Sequence, residues 1–336
     1  MNTRIGVFVA VVVLAVVGAT GYVIYSRRAY VATTDAATSA VTRNDVAAVS
    51  AVPHVVFRNT VLGQGYGQVA LVPLDDPEGP RVITSASCDR VYAAASVALC
   101  IAADRGLVTT YRAQLLDTSW TPKRDLPLTG LPSRARIARD GTLAATTTFV
   151  FGDSYANPGH FSTRTLVSTV AGSGNEDLEQ FQLVIDGRTV TATDRNIWGV
   201  TFADDDHFYA TAAVGDKTWL VQGSLSKRTL TAIRGDVECP SLSPDKTRIA
   251  FKKHGDLPHG KWRLAVYDLV TGKETLLAEG RTVDDQAEWL NDTQVIYGLP
   301  RGQSGTASSD VWTVPADGTG SPTKLISDAW SPAVVR

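Results

Sequence analysis

A chain of 336 residues with 44% hydrophobic residues, 20% charged residues and a formal charge of −2 has the balance of an ordinary globular protein with room for a large core. No basic stripe interleaved with aromatics is present, so nucleic acid is excluded as an expected partner. Three cysteines without Cys-x-x-Cys or Cys/His spacing, and five histidines with no two at metal-ligand spacing, imply neither a metal nor a cofactor.

The chain opens on IGVFVAVVVLAVVGATGYVIY (5–25), 21 uncharged and mostly apolar positions between Arg4 and Arg27-Arg28. That length suffices for a helix across a bilayer and exceeds a usual signal-peptide core; Tyr22 and Tyr25 suit the membrane interface. Residues 1–28 are therefore expected to form an uncleaved transmembrane signal anchor. A cleaved signal peptide is the alternative, disfavoured because no Ala-x-Ala site follows, and the lack of a cysteine nearby excludes a lipid anchor. Positive charges on the two flanks nearly balance, so charge alone leaves the orientation open. Residues 29–52 (AYVATTDAATSAVTRNDVAAVSAV) are small, polar and without period, the composition of a flexible linker.

From Pro53 onward, short β-rich runs alternate with turn residues. The first group has three strands, HVVFRNT (54–60), GQVALVPL (67–74) and PRVITS (80–85); the C-terminal AWSPAVV (329–335) is expected to supply its missing inner strand. The second group is DRVYAAA, VALCIAA, TTYRAQLL and a strand near RDLPL. The third is ARIARDG, TLAATTTFVF, TRTLVSTV and LEQFQLV, followed by an insertion near IDGRTVTATDR. WGVTFADDD, HFYATAA, TWLVQGSL and RTLTAI form the fourth, and AEWLNDT, QVIYGL, SDVWTVPA and PTKLIS the sixth. Between them lies the clearest unit: CPSLSPDKTRIAF (239–251), WRLAVYDL (262–269) and KETLLAE (273–279), whose first segment is echoed by QAEWLNDTQVIYG (286–298). Turns centred on Asp140, Asp205, Asp245 and Asp292 stand 65, 40 and 47 residues apart. A four-stranded antiparallel unit recurring at roughly 40–50 residues is the signature of a propeller blade. The expected fold is all-β: a six-bladed β-propeller over 53–336, its ring closed by the C-terminal strand, preceded by one transmembrane helix. A seventh blade within 176–196 is the alternative count.

The pattern SPDKTRIAF…WRLAVYDLVTGKETLL resembles the TolB-like, WD40-like propeller repeat, clearly over 237–336 and weakly before about residue 200. The resemblance implies a non-catalytic protein-interaction module of the cell envelope, on the extracytoplasmic side of the cytoplasmic membrane, with an envelope or secreted protein as partner. TolB itself carries an extra amino-terminal α/β domain, where this chain has an apolar segment and a short linker. An enzyme reading, a propeller hydrolase, lyase or cyclase working in the central channel, is the alternative.

Individual residues add finer expectations. Cys88 and Cys100 flank RVYAAASVAL, read as two strands turning near Ala94; residues equidistant from a turn face each other at about 4.5–5.5 Å between Cβ atoms, which suits a disulfide. Two small buried hydrophobes are the alternative, and Cys239 is left over. FVFGDSYANPG (149–159) resembles the nucleophile block of GDSL-type esterases, with Ser154 as nucleophile and Asp204 and His207 in an Asp-x-x-His arrangement. Only about 50 residues separate them, too few for that family's order, so a loop rich in turn formers is the plainer reading. Asp204-Asp205-Asp206 reads as a solvated turn before a calcium site, and Arg234-Gly235-Asp236 as a chance tripeptide. The connections between second and third strands are long in three blades: 151–162, 253–261 and 299–309. All three emerge on one face of a propeller, and binding commonly resides on loops held by a rigid scaffold. Tyr155, His160, Phe161, His254, His259 and Arg301 are the candidate binding residues of that face; no catalytic residue is assigned.

Overall fold

The computed structural model describes residues 6, 11–22, 42–43, 45–106, 108–150, 162–302 and 308–336. Among them, six sheets make six blades. Blade one contains β2 (His54–Asn59), β3 (Gln68–Pro73) and β4 (Arg81–Ser87), with a two-residue strand β1 (Thr42–Arg43) parallel to β4 at its outer edge. Blade two is β5 (Arg90–Ala94), β6 (Val97–Arg105), β7 (Thr109–Leu116) and β8 (Pro122–Leu126). Blade three is β9 (Leu131–Ile137), β10 (Leu143–Phe149), β11 (Thr163–Thr169) and β12 (Asn175–Asp177). After β13 (Gln182–Ile185) and β14 (Arg188–Thr189), blade four follows as β15 (Asn196–Phe202), β16 (His207–Val214), β17 (Lys217–Ser224) and β18 (Thr229–Gly235). Blade five is β19 (Glu238–Leu242), β20 (Arg248–Lys253), β21 (Arg263–Asp268) and β22 (Glu274–Leu276). Blade six is β23 (Glu288–Asn291), β24 (Gln294–Pro300), β25 (Ser309–Pro315) and β26 (Thr323–Ile326).

The final strand, β27 (Ala329–Val335), crosses back to pair antiparallel with β2 and becomes the inner strand of blade one, as the three-strand first group demanded. Arg81 reinforces the closure. Its guanidinium, 7% exposed, donates to the carbonyls of Ser327 (2.6 Å) and Asp328 (3.0 Å) and to Asn59 Oδ1 (2.8 Å). Closing the ring this way ties the two ends of the domain into one sheet.

Each blade is pressed between two neighbours, so its middle strands are buried on both faces. β10 and β15 are buried along their whole length, which is why they read as continuous apolar, Ala and Thr runs rather than as an alternation. The polar turns between first and second strands repeat one device. Asp140 Oδ1 accepts from Thr142 N (2.9 Å) and its hydroxyl (2.7 Å), Asp245 Oδ1 from Thr247 N (3.0 Å) and its hydroxyl (2.8 Å), and Asn291 Oδ1 from Thr293 N and hydroxyl (both 2.8 Å). A short acceptor two residues ahead of a threonine closes the turn locally. Thr142 also donates to Asp205 (3.1 Å), and Asp245 N to Asp292 (3.1 Å), so these turns gather on one face of the ring.

Two expectations are corrected. LEQFQLV is not the fourth strand of blade three. β12 takes that place, and a single 3-10 turn (Leu178–Gln180) carries the chain away. That turn aims Glu179 inward, where it accepts from Thr165 N (2.9 Å) and the Thr163 hydroxyl (3.2 Å). Leu178, Phe181 and Leu183 are buried between blades three and four, and β13 joins the outer edge of blade four parallel to β18. The stretch 176–196 therefore widens blade four to six strands instead of making a seventh blade. Secondly, the end of the expected linker belongs to the fold: besides β1, the short helix Val46–Ser50, capped by Asp45, buries Val49 against blades one and two. Of the single-pass helix expected over 5–25, residues 11–22 and Gly6 are described as helix, and among the described residues no helix is long and apolar enough to cross a membrane.

Cys88 and Cys100 form a disulfide, with Cα atoms 5.4 Å apart, but not across a hairpin. The β5–β6 turn is Ala95-Ser96, so Cys100 stands opposite Val91, and Cys88 lies in the β4–β5 connection. The bond ties the crossover from blade one to the second strand of blade two. Cys239 is buried and unbridged on β19.

Candidate functional site

Two places gather chemistry. The first is the axis of the ring, where the inner strands converge. Arg136 on β9 is ion-paired with Glu288 on β23, whose Oε2 also accepts from the Tyr92 hydroxyl of β5 at 2.8 Å; the Arg136 guanidinium lies 4.5 Å over the Tyr92 ring. Arg90 pairs with Asp285 at 3.0 Å. Lys252, fully buried, donates to Asp284 Oδ1 at 2.7 Å, and Arg134 lies 3.6 Å from the same carboxylate. Burial works against the Lys252 ammonium, yet Asp284, Cys239 and Glu238 together outweigh it and raise its pKa. Desolvation works to raise Asp284, whose side chain is still half exposed, but Lys252 and Arg134 together hold it below the usual carboxylate range. The space left among Arg90, Tyr92, Arg136, Asp285 and Glu288 is about 20 Å³, room for about one water. The axis is a polar plug of opposed charges.

The second place is a cavity of about 400 Å³ between blades four and five. It opens where β16 turns into β17 (Gly215 to Thr218), where β18 passes to β19 (Gly235 to Glu238) and along the β20–β21 connection (His254 to Trp262). Trp198, Trp219 and Trp262 form its aromatic wall, and Glu238 lies at its floor. Backbone bulges set this floor: β15 slips register between Trp198 and Thr201, and β19 between Glu238 and Ser241. Gly199 sits at φ +65°, and a Cβ there would lie 2.7 Å from the Cys239 Cα, so the two inner strands touch backbone to backbone only because residue 199 is glycine. Phe149, Trp198, Ala213, Cys239 and Trp262 pack together beneath the cavity.

Asp236 fixes the outer loop. Its carboxylate accepts from His254 N (2.9 Å) and Gly255 N (3.0 Å), with the Lys253 ammonium 3.5 Å away. The tripeptide Arg234-Gly235-Asp236 thus has a structural task, holding the 253–262 loop over the cavity. Glu238, 8% exposed, accepts from Trp262 Nε1 at 2.8 Å.

Of the candidate binding residues, His254 and His259 come together, ring centroids 5.5 Å apart, and both line this cavity. Arg301 does not join them: it is held at the junction of blades six and one by Asp310 (2.8 Å) and Asp328 (2.8 Å). Tyr155, His160 and Phe161, and Ser154 with them, lie outside the described residues. Asp204 and His207 touch (3.1 Å) within the β15–β16 turn. The acidic run around them is used locally: Asp204 takes the amides of Asp206 and His207, and Asp206 takes the Ser224 hydroxyl and the Ser226 amide. What sequence reading missed is the wall itself, Trp198, Trp219, Trp262, Asp236 and Glu238. Trp262 was read as the start of a strand of blade five, and its position at a strand start after a long loop was the available signal.

The architecture can be set beside solved structures at this point. TolB from Acinetobacter baumannii superposes with a TM-score of 0.58 at 14% identity, over 84% of this chain and 66% of that one. The fold is TolB-like. A structure assigned to TolB from Agrobacterium tumefaciens gives 0.49 at 12% identity, over 83% and 91% of the two chains. A puromycin-hydrolyzing peptidase of Mycobacterium tuberculosis gives 0.45 at 16%, over 78% and 42%. The chain thus spans 66% of the length of the Acinetobacter protein. No family model matches it, and no curated protein does. At these identities the likeness establishes the TolB-like propeller as a fold; activity has to be argued from the site.

Proposed function

We propose that this TolB-like propeller is a non-catalytic binding module of the cell envelope, held outside the cytoplasmic membrane by its N-terminal apolar segment, and that it engages an envelope or secreted protein on the face carrying the cavity between blades four and five. The observation that carries this reading is the contrast between the two polar places. The axis, where a channel enzyme would work, is filled by side chains already paired with one another, whereas the loop face presents an open, aromatic-walled cavity of a size typical for ligand recognition. The anchor rests on the 21 uncharged residues of 5–25. The Cys88–Cys100 bond supports an oxidising compartment, since structural disulfides persist outside the reducing cytoplasm.

The test places a photo-crosslinking residue at His259, exposed on the cavity face, or at Lys246, exposed on the opposite face, in cells whose outer surface is then treated with protease. The reading expects an envelope protein adduct from position 259 and not from 246, together with digestion of the propeller in intact spheroplasts. Full protection from protease, or the same adducts from both faces, would overturn it.

A further inference from the structure

The cavity between blades four and five has a chemical preference of its own. Glu238 is more than nine-tenths buried on its floor, and its Oε1 is engaged by Trp262 Nε1. Among the described residues no hydrogen bond reaches its Oε2. The neighbouring positive charge is shared: Lys252, opposite Glu238 in the β19–β20 register, donates to Asp284 at 2.7 Å and lies 4.1 Å over the Trp262 ring. Some of the other polar groups are engaged, while His254 Nε2 is buried without a hydrogen-bond partner among the described residues. Asp236 holds the His254 and Gly255 amides, and His254 Nδ1 lies 3.1 Å from the Gly255 carbonyl. Three carboxylates, Asp216, Asp236 and Glu238, line the cavity against one lysine, Lys217.

A ligand for such a site has to bring positive charge, few further polar groups and an apolar stem. An anion would face the Glu238 carboxylate. A neutral apolar molecule would bury the second carboxylate oxygen with nothing to bond it, which is costly. A cation meets both the carboxylate and the electron-rich faces of indole rings, and tryptophan is the best side chain for that contact. We propose that this cavity binds a single organic cation, an alkylammonium or guanidinium head directed at Glu238 Oε2 with its methylene stem against Trp198, Trp219 and Trp262. The head can come from a free amine or from a lysine or arginine side chain of a protein; in the second case the inference rests on the partner reading above.

The experiment titrates the full chain by calorimetry and tryptophan fluorescence with agmatine, with pentan-1-ol as the neutral control, with the peptide acetyl-Gly-Arg-Gly-amide, and with its citrulline counterpart. Saturable binding of agmatine assigns the site to a free amine; binding of the arginine peptide without agmatine assigns it to a protein side chain. In either case the neutral control and the citrulline peptide should not bind. Glu238→Gln, which keeps an acceptor for Trp262 Nε1, should weaken the cation about tenfold or more without lowering the Tm. Absence of binding by both cations into the millimolar range overturns the proposal, as does equal binding of the neutral compounds or an unchanged affinity in Glu238→Gln. If the cations do not bind while the crosslink at position 259 persists, this inference falls and the partner reading stands; the reverse result separates them the other way.

Discussion

The axis and the cavity are both lined by buried charge, and they use it differently. On the axis every carboxylate meets a cation from another blade: Glu288 meets Arg136, Asp285 meets Arg90, and Asp284 meets Lys252. In the cavity, Glu238 is nearly as buried as Glu288, but among the described residues only one of its oxygens has a hydrogen-bond partner. Mutually satisfied charge sets the register of the inner strands. A buried carboxylate left half satisfied at the end of an open cavity is a binding feature, because a fold gains nothing from it until something enters.

The largest effect should separate the two glutamates directly. Glu288→Gln leaves the buried Arg136 guanidinium without its counter-charge and should destabilise the protein by about 3–5 kcal/mol, read in urea unfolding. Glu238→Gln keeps an acceptor for Trp262 Nε1 and leaves Lys252 with Asp284, and should leave stability within about 0.5 kcal/mol of the parent. Equal losses at both positions would erase the distinction. Next in size, Cys88→Ser with Cys100→Ser should cost about 2–4 kcal/mol, the range for a closed loop of this length. Because the bond lies between blades one and two, cation binding should persist in that variant. A smaller change strikes the cavity floor: Gly199→Ala meets both a positive φ and the Cys239 backbone, and should cost about 1–3 kcal/mol. Unlike the disulfide variant, it should also alter the tryptophan fluorescence of the cavity.

The smallest effect lies on the opposite face. Partial burial works to raise the Asp245 pKa, but hydrogen bonds from Ser243 and Thr247 outweigh it and hold it below its ordinary 3.8. A depressed carboxylate contributes stability that is present above 3.8 and lost as pH falls through the lower folded value. Asp245→Asn should therefore flatten part of the acid limb of a stability-against-pH curve and leave cation binding unchanged. A variant that binds less cation would show the two faces to be coupled.

Much of the ring was legible because blades are local. Ser243-Pro244-Asp245 and Thr247 write their own turn within five residues, and the following RIAF is a strand on its own composition. AWSPAVV could be assigned to blade one because the first group lacked a strand. The disulfide pair was identifiable, but its geometry was not: moving the β5–β6 turn by a residue or two changes which side chains oppose each other. LEQFQLV misled because its apolar residues do bury, against the junction of two blades rather than within one sheet. Of the proposed binding face, His254 and His259 could be named from loop length and composition, whereas Arg301 was drawn off by Asp310 and Asp328, 9 and 27 residues later in the chain.

The sequence by itself determined the four-stranded repeat, most of the strand order and the closing strand, since these follow from turn chemistry and short-range periodicity. The tertiary structure decided which charges are paired and where a cavity remains. Glu238 and Trp198 are 40 residues apart and meet only where β15 and β19 bulge against each other at Gly199. Glu288 and Arg136 are 152 residues apart and meet because the ring brings their inner strands to one axis. No local pattern encodes either meeting, because each depends on the rotation between blades, which is set by how whole sheets pack.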